Sequence, residues 1–323
     1  MTALYIHTMK RLILPGLFLI MLAMAGPAAG STEADTGDRI RVNIYDSAML
    51  TAENFVAVGE RGEIYLTADG GKTWHRKVSG LSNQLFSVSF VNQKKGWAAG
   101  ALGAMVSTSD GGQTWSVQQT GVRKHLFSLN FADDKHGCAV GDWGLALVTA
   151  DGGATWQDLS LKDDVVLYAV VWIDAQKGFI AGEFGQVYKT SDGGKTWELL
   201  ATPAVQSLFC MCRDKNALFA AGLDGVVVYS EDGGLTWNQA DSPTHKALYG
   251  ISVCGQTGIA VGEEGTVLTS KDGGRSWQAA EVPIQARLFW FGTVSMRSNS
   301  QPVGFGAGAH GYVFRINKGE LVW

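Results

Sequence analysis

The chain has 323 residues and a formal net charge of −4 at pH 7, with 30 acidic and 26 basic residues. This acidic balance argues against nucleic acid as a partner, since phosphates select basic surfaces, and against tight electrostatic adhesion to anionic lipid. The composition includes 42 glycines and 11 tryptophans beside only 6 prolines. Such a mixture is typical of many short strands joined by tight turns, so we expect an all-β protein with few helices.

The N-terminal segment has the pattern of a secretory signal peptide. A basic start at Lys10 and Arg11 precedes an apolar run over residues 12–25, and small residues follow up to Gly30. Residues 1–30 are therefore predicted to be removed on export, with Met9 as an alternative start of translation. The apolar run is shorter than the roughly 20 residues that a membrane-spanning helix needs. The mature chain is expected to be soluble in the periplasm, without a direct membrane span.

The four cysteines do not form a recognisable framework. Cys138, Cys210, Cys212 and Cys254 fall at unlike positions of the repeat described below. They are interpreted either as buried small apolar side chains or as including one bridge, such as Cys212 to Cys254. No CxxC pair occurs in the sequence, and no histidine lies at ligand spacing. Neither a metal site nor another cofactor is predicted.

An Asp-box motif of the form TSDGGKTW recurs six times at intervals of 40 or 41 residues, so each copy is predicted to mark one supersecondary unit. The aspartates are Asp69, Asp110, Asp151, Asp192, Asp232 and Asp272, and the tryptophans are Trp74, Trp115, Trp156, Trp197, Trp237 and Trp277. The aspartate is expected to accept backbone N–H groups across a turn, and the tryptophan to pack between sheets. A structural role is favoured because six equivalent copies around a ring cannot form one catalytic centre.

Two further markers accompany the box, and each is counted seven times. A GxxG pair precedes it, at 59 and 62, 100 and 103, 141 and 144, 182 and 185, 222 and 225, 262 and 265, and 308 and 311. An aliphatic-aromatic pair begins the inner strand, at 44–45, 85–86, 126–127, 167–168, 208–209, 248–249 and 288–289. The seventh box is degenerate, with Lys318 in place of the aspartate and Trp323 in place of the tryptophan. These markers predict seven units.

Each unit is predicted to contain four strands. In the second unit these are residues 85–91, 97–100, 104–108 and 114–118, with the GxxG as the turn between the second and third strands. The sequence therefore predicts a single seven-bladed β-propeller over residues 40–323, with four-stranded antiparallel blades and Asp-box turns. Because the last blade stops at Trp323, where its outermost strand should begin, residues 31–39 are predicted to close the ring.

The Asp-box in every repeat, the GxxG before it and the Leu-aromatic strand together resemble the photosystem II assembly and stability factor family, a branch of the bacterial neuraminidase repeat proteins. The resemblance covers about 280 residues. It implies an exported seven-bladed propeller that binds a nascent membrane-protein subunit and assists its assembly rather than catalysing a reaction. Photosynthetic members carry a basic partner patch, whereas the acidic balance of this chain favours a non-photosynthetic bacterial relative. Its expected partner is an envelope membrane protein, either an assembly client or a component of a lipid-type exporter.

Two other functions remain open from the residues alone. Sialidases also carry Asp-boxes, but they present an arginine triad and catalytic acids on inserted loops. The blades here are nearly equal in length; the one irregularity, about five extra residues around Arg297 to Gln301, is interpreted as an exposed turn. No enzyme activity is therefore predicted, with a sialidase-like glycoside hydrolase as the second alternative. The first alternative is a glycan-binding propeller module, since exposed aromatics and carboxylates also suit sugars.

A binding site is expected where the repeats differ at a common position. The middle residues of the GxxG turns and the loops leading into the inner strands meet that test and should share one face. Trp143 and Phe184 are the leading candidates, because exposed aromatic side chains often anchor interfaces. The charged candidates on the same face are Arg61, Arg123, Lys124, Asp142, Glu183, Asp224, Glu263, Arg287 and His310. For all of these residues, packing or a solvated rim is the alternative interpretation.

Overall fold

A computed structural model describes residues 40–298 and 302–323, which form seven antiparallel four-stranded sheets with consecutive strands paired in chain order. The predicted seven-bladed β-propeller is confirmed. The signal peptide predicted for residues 1–30 and the closing segment predicted for residues 31–39 lie outside the described residues. Within the described ranges, no helix has the length and apolar character required to cross a membrane.

Every blade contains an inner strand, two middle strands and an outer strand. In blades 1 to 4 the strands are Ile44–Met49, Phe55–Gly59, Glu63–Thr67 and His75–Val78; Leu85–Phe90, Gly96–Gly100, Met105–Thr108 and Ser116–Val117; Leu126–Phe131, Gly137–Gly141, Ala146–Thr149 and Gln157–Asp158; Leu167–Trp172, Gly178–Gly182, Val187–Thr190 and Glu198–Leu200. In blades 5 to 7 they are Leu208–Asp214, Ala217–Gly222, Val227–Ser230 and Asn238–Gln239; Leu248–Cys254, Thr257–Gly262, Val267–Ser270 and Gln278–Ala279; Phe291–Ser298, Pro302–Gly308, Val313–Asn317 and Glu320–Val322.

Short 3-10 helices occupy six of the seven GxxG turns within the described residues, and a longer one precedes blade 7. They are Glu60–Gly62, Ala101–Gly103, Glu183–Gly185, Leu223–Gly225, Glu263–Gly265, Ala309–Gly311 and Ile284–Leu288. The first three strands predicted for blade 2 match the observed strands to within one residue at each end. The fourth is shorter than predicted, because Thr114 and Trp115 belong to the Asp-box turn.

The core lies between blades rather than within them. The second strand of each blade is buried because a neighbouring sheet packs on each of its faces. In blade 2 this strand has the sequence GWAAG, and all five residues are buried. Its alanines and glycines keep the strand thin, while larger side chains such as Trp97 and Phe131 stack across the junction with a centroid separation of 3.6 Å. The two-residue outer strands of blades 2, 3, 5 and 6 are exposed.

The Asp-box turns carry the predicted hydrogen bonds. In blade 3, one carboxylate oxygen of Asp151 accepts the Thr149 hydroxyl at 2.8 Å and the Thr155 N–H at 2.9 Å. The other oxygen accepts the Thr155 hydroxyl at 2.6 Å. The same arrangement recurs in the other five boxes. Each aspartate therefore ties the end of the third strand to the start of the fourth.

Blades 1 and 7 close the ring through direct contacts. The Thr293 hydroxyl of blade 7 donates to Asp46 of blade 1 at 3.0 Å, and the His310 N–H donates to the Asn43 side chain at 2.9 Å. The side chains of Ile40 and Val42 join a buried cluster that also contains Phe305 of blade 7. Residues 40–43 thus seal this junction.

Blade 7 differs from the sequence prediction in three respects. Its inner strand begins at Phe291, not at the Leu288–Phe289 pair, because Phe291 pairs with Gly308 as Leu248 pairs with Gly262 in blade 6. Arg297, predicted to lie in an exposed turn, is part of this strand. The prediction that the chain stops before its outermost strand is also wrong. A tight turn at 318–319 replaces the box, and Glu320–Val322 forms the fourth strand.

The cysteines form no disulfide, so the alternative with a Cys212–Cys254 bridge is wrong. Cys138 is fully buried. Cys210 and Cys212 pack against the core between blades 5 and 6. Burial raises the pKa of the Cys212 thiol to about 12, and the backbone N–H of Val253 in the next blade acts against this rise. Cys138 thus packs in the second strand of blade 3, and Cys210 and Cys212 pack in the inner strand of blade 5.

Removal of a buried box tryptophan is predicted to destabilise the ring. The Trp277 side chain is 4% exposed and its indole N–H donates to the Gly274 carbonyl at 3.0 Å. Trp277→Ala should lower the free energy of unfolding by about 3–5 kcal/mol through lost burial and a residual cavity. Trp323→Ala is the matched control, since Trp323 is 39% exposed and should cost less than half as much. Urea unfolding monitored by circular dichroism measures both; equal losses would contradict the assignment.

Acid should weaken the Asp-box turns. In blades 2, 3 and 4 the box threonine hydroxyl and then its N–H lower the pKa of the aspartate to about 2. The unfolded chain titrates near pH 4, so this contribution is present above that pH and is lost as the pH falls toward 2. The urea midpoint should drop over this window. The drop should be smaller for Asp151→Asn than for the control Asp164→Asn on an exposed loop; an identical drop would contradict the explanation.

Candidate protein-binding face

The two ends of the ring are built from different turns. We call one end the turn face; it contains the GxxG turns and the lead-in loops, which enter the inner strands. A Cβ atom on Gly103 would lie 2.1 Å from the carbonyl oxygen of Val122 in the lead-in loop of the next blade. The same approach occurs between blades 7 and 1, where Gly311 meets Ile40 at 2.2 Å. The Asp-boxes form the opposite end, the box face.

The second middle residue of every GxxG turn has a left-handed backbone conformation. These residues are Arg61, Leu102, Trp143, Phe184, Asp224, Glu264 and His310, with φ between 50° and 60°. The first glycine, in contrast, is extended, and it is required by space: a Cβ on Gly100 would lie 1.9 Å from the Gln84 carbonyl oxygen. A left-handed conformation costs a residue with a side chain about 1–2 kcal/mol. Three of the seven tips accept this cost with large apolar side chains.

These three apolar tips lie in consecutive blades. Leu102, Trp143 and Phe184 of blades 2, 3 and 4 are 49%, 63% and 38% exposed. The ammonium group of Lys124 lies 5.6 Å from the ring centroid of Trp143, a cation–π arrangement. Trp143 and Phe184 were predicted from the sequence, whereas Leu102 was missed because it is not aromatic. Its equivalent position in the repeat was the signal that could have found it.

Further apolar side chains are exposed on the same face. Val205, in the lead-in loop of blade 5, is 76% exposed, and Ile284 and Leu288, before blade 7, are 77% and 79% exposed. On the box face, the described residues include one large hydrophobic side chain with comparable exposure, Leu235. Exposed apolar groups that gather on one side of a protein are a feature of interaction surfaces. The turn face is therefore the candidate interface.

The predicted acidic candidates have structural partners in the lead-in loops, three of them within their own blades and Asp224 in the loop of the next blade. Each accepts a backbone N–H of the lead-in loop: Asp142 from His125 at 2.8 Å, Glu183 from Val166 at 2.9 Å, and Glu263 from Ala247 at 3.5 Å. Asp224 instead pairs with the His245 ring at 2.9 Å. These carboxylates hold loops in place, and their role in partner binding stays a prediction.

The predicted basic candidates are spread around the rim. Arg61 lies 3.7 Å from the carboxylate of Glu63. Arg123, Arg287 and His310 are exposed in blades 3 and 7. The structure places them on the turn face as predicted but does not bring them together into one basic patch. Their contact with a partner also remains a prediction.

A ring of aromatic side chains surrounds the central channel where it opens on the turn face. This aromatic collar consists of Tyr45, Phe86, Phe127, Tyr168, Phe209 and Tyr249, which the sequence analysis used only as strand markers; the Trp290 ring of blade 7 stacks on Tyr45. Six neighbouring pairs of these rings have centroids 5.1–6.0 Å apart. All members except the buried Tyr168 are half-buried. The channel beneath has a volume of about 510 Å³.

Carboxylates stand beside the tyrosines of the collar. Burial and then the charge of Glu263 raise the pKa of Tyr249 to about 12. Burial and then the charge of Glu60 likewise raise the pKa of Tyr45. Such shifts follow because a second negative charge is disfavoured close to an existing carboxylate. The mouth of the channel is thus aromatic and electronegative.

Fold and repeats together define an Asp-box β-propeller with an exposed apolar face. The family model for the photosynthesis system II assembly factor YCF48 matches residues 34–119 and 113–204. These matches span more than half of the sequence, and the chain belongs to the YCF48 family. A model of the DUF6242 beta propeller domain matches residues 179–289.

Solved structures repeat this likeness at the level of the fold. A structure of YCF48 bound to a D1 peptide is 20% identical with a TM-score of 0.68, covering 90% of this chain and 99% of that one. YCF48 from Cyanidioschyzon merolae is 17% identical with a TM-score of 0.67, covering 85% and 96%. The GH74 xyloglucanase from Xanthomonas campestris is 11% identical with a TM-score of 0.67, covering 86% of this chain and 52% of that chain. No curated protein sequence matches the chain.

Relief of the backbone at Trp143 is predicted to stabilise the protein. Trp143 has φ of 51° and is 63% exposed, so Trp143→Gly removes strain and little burial. The free energy of unfolding should rise by about 1 kcal/mol. Val205→Gly is the control, because Val205 is also exposed, at 76%, but has no positive φ, so glycine there should destabilise. Urea unfolding measures the change in the free energy of unfolding for both variants. A lower stability of Trp143→Gly would contradict the explanation that the backbone is strained at Trp143.

Proposed function

We propose that this protein is a non-catalytic scaffold of the bacterial envelope that binds a membrane protein through its turn face. The observation that carries the proposal is the row of exposed apolar side chains at strained turn tips in blades 2, 3 and 4. Trp143 and Phe184 each accept an unfavourable backbone conformation, and Trp143 is 63% exposed despite it. Strained residues of this kind are concentrated at functional sites.

The shape of the face suits an extended segment or loop. Equivalent tips in neighbouring blades follow the curve of the ring, so a chain crossing blades 2 to 4 would meet Leu102, Trp143 and Phe184 in turn. Val205 continues this apolar row toward blade 5. Aromatic anchors in such a row typically carry most of the binding energy of an interface. The charged residues around them would set orientation and association rate rather than affinity.

The class of partner follows from the family. The solved YCF48 bound to a D1 peptide is a relative of the same fold, which supports a peptide segment of a membrane protein as the partner here. Assistance with assembly, or with an associated transport process such as lipid-type export, is the role proposed for that contact. Location in the periplasm is proposed from the basic start and apolar run of residues 10–25 alone.

The carboxylates on the turn face favour binding over catalysis. Glycosidases use two carboxylic groups that act as acid and base or nucleophile on the sugar. Asp142 and Glu183 are instead engaged by backbone N–H groups at 2.8 and 2.9 Å. Such bonds hold a carboxylate in position. This supports a scaffold that uses shape and apolar contact.

Affinity capture from envelope extracts tests the proposal. Trp143→Gly and Phe184→Gly should each reduce recovery of a membrane-protein partner by tenfold or more, since truncation of an aromatic anchor costs about 2 kcal/mol or more. The matched control is Leu235→Ala, which removes an exposed apolar side chain from the box face and should leave recovery unchanged. Because Trp143→Gly is expected to be folded and stable, its reduced capture reports on the surface. Identical partner lists for all four proteins would reject the turn face.

A further inference from the structure

We propose that the loop leading into blade 7 docks on a phospholipid bilayer and inserts two aliphatic side chains into it. This inference goes beyond the proposed function, which concerns a protein partner. The loop contains the 3-10 helix Ile284–Leu288, which we call the docking helix. Its first and last residues, Ile284 and Leu288, carry the inserting side chains, which are 77% and 79% exposed.

The docking helix is present because this lead-in loop is longer than the others. In each of blades 2 to 6 the inner strand begins 11 positions after the preceding box tryptophan. In blade 7 it begins at Phe291, 14 positions after Trp277. The additional length is ordered, since the Ala286 N–H donates to the Pro283 carbonyl at 2.9 Å and the Phe289 N–H donates to the Ala286 carbonyl at 3.2 Å.

The ring does not require an aliphatic side chain at this place. The loop keeps the usual contact with the preceding GxxG turn: the Gly265 N–H donates to the Phe289 carbonyl, as the Gly144 N–H donates to the Val165 carbonyl between blades 3 and 4. Leu288 lies three positions before the inner strand, and the residue at this position is exposed in every blade. It is valine in blade 5 and polar in the other five blades, where it is Arg41, Ser82, Arg123, Asp164 or His245. Since the fold accepts polar side chains here, packing does not explain Leu288.

The composition of the docking helix matches that of elements that lie on lipid surfaces. Gln285 and Arg287, both exposed, lie between the two aliphatic residues, and the half-buried Phe289 and Trp290 follow. The Trp290 ring stacks on Tyr45 with a centroid separation of 5.9 Å, which holds it in place. On interfacial elements, aliphatic side chains enter the acyl region, arginine extends its charge to the phosphates, and tryptophan prefers the headgroup level. All three types of side chain are present here.

The small size of the apolar surface favours lipid over another protein. A stable protein interface buries about 800 Å² on each partner and uses roughly 20–30 residues. Two aliphatic side chains supply a small part of that area. Insertion into a bilayer needs no complementary surface, and its strength increases with the apolar area that is buried. We therefore expect weak and reversible docking.

The charges around the docking helix suit zwitterionic phospholipid. Among the residues that the structure describes, Arg287 has no ion-pair partner, so its guanidinium can meet a lipid phosphate. Glu264 of the adjacent turn is paired with Lys246 at 2.6 Å. Glu281, exposed at the start of the loop, balances Arg287. Apolar insertion with little dependence on anionic lipid follows, in agreement with the acidic balance of the chain.

Docking of this helix would also orient the turn face. The helix lies on that face because it packs against the GxxG turn of blade 6, where a Cβ on Gly265 would lie 2.5 Å from the Ala286 carbonyl oxygen. Insertion would therefore turn the apolar tips of blades 2 to 4 toward the membrane surface. The loops of a membrane protein are found at that surface.

Co-flotation with phosphatidylcholine vesicles tests the inference. The chain used is the expected mature form, residues 31–323, which keeps all seven sheets and lacks the apolar run of residues 12–25. Its partition coefficient should fall about tenfold in Leu288→Ser and about a hundredfold when Ile284→Ser is added, because each variant removes methylene groups that the bilayer would bury. The matched control is Leu235→Ser, which changes an aliphatic side chain of 70% exposure on the box face and should leave the partition unchanged.

A fluorescent label locates the contact. Gln285→Cys labelled with nitrobenzoxadiazole should show a blue-shifted emission on the vesicles, and lipids with brominated acyl chains should quench it. The unsubstituted chain treated with the same dye measures the labelling of the four native cysteines. Urea unfolding of the two serine variants should match that of the unsubstituted chain, since both side chains are exposed. Loss of flotation then reports on the surface.

Four results would overturn the inference. The first two are absence of flotation of the unsubstituted chain and equal partition of Leu288→Ser. The third is flotation that requires phosphatidylglycerol and disappears in salt, which would assign the attraction to charge alone. The fourth is self-association that Leu288→Ser abolishes, which would assign the helix to a second copy of the chain. The vesicles contain no protein, so flotation and affinity capture succeed or fail independently.

Discussion

Close approach between successive blades is the constraint on which this molecule depends. The second glycine of each GxxG turn lies against a carbonyl of the next lead-in loop, at distances that no side chain could occupy. This contact repeats seven times, including the junction of Gly311 with Ile40. In every one of these turns the residue before the glycine has a left-handed conformation. The geometry that closes the ring also creates the positions that are free to differ.

The regular part of the fold could be predicted because the repeats constrain each other. Six Asp-boxes and seven GxxG pairs at nearly constant spacing fix the number of blades, and the first three strands of blade 2 followed from that spacing. Blade 7 could not be placed the same way. Residues 288–291 are all large and apolar, so the sequence does not show at which of them the inner strand begins. The pairing of Phe291 with Gly308 shows that it begins at Phe291. Strand boundaries cannot be predicted by alignment with the other repeats where one repeat departs from their pattern.

The candidate site was predictable in position but not in chemistry. The sequence identified the turn tips as variable, and Trp143 and Phe184 are indeed exposed there. It did not show that Asp142 and Glu183 would be used by backbone N–H groups. The aromatic collar was missed for a different reason: its members belong to the pair that marks the inner strands of blades 1 to 6, and they were used only as that marker. That six such rings line one channel is a property of the closed ring and not of any single repeat.

Polar side chains that line the channel have a structural role, because they accept backbone N–H groups of the next blade. An inner strand has unpaired N–H groups along the edge that faces its neighbour, and buried N–H groups require acceptors. Ser87 accepts the Leu129 N–H at 3.2 Å, Ser128 accepts the Val170 N–H at 3.1 Å, and Asn130 accepts the Trp172 N–H at 2.8 Å.

Asp46 belongs to the same system. It accepts the Val88 N–H at 2.9 Å and the Thr293 hydroxyl at 3.0 Å, and burial raises its pKa despite these bonds. An acid in the channel would ordinarily suggest a ligand, yet its oxygens join three blades. Function in this ring is therefore best sought outside the blade junctions, at exposed turn tips such as Leu102 and Trp143.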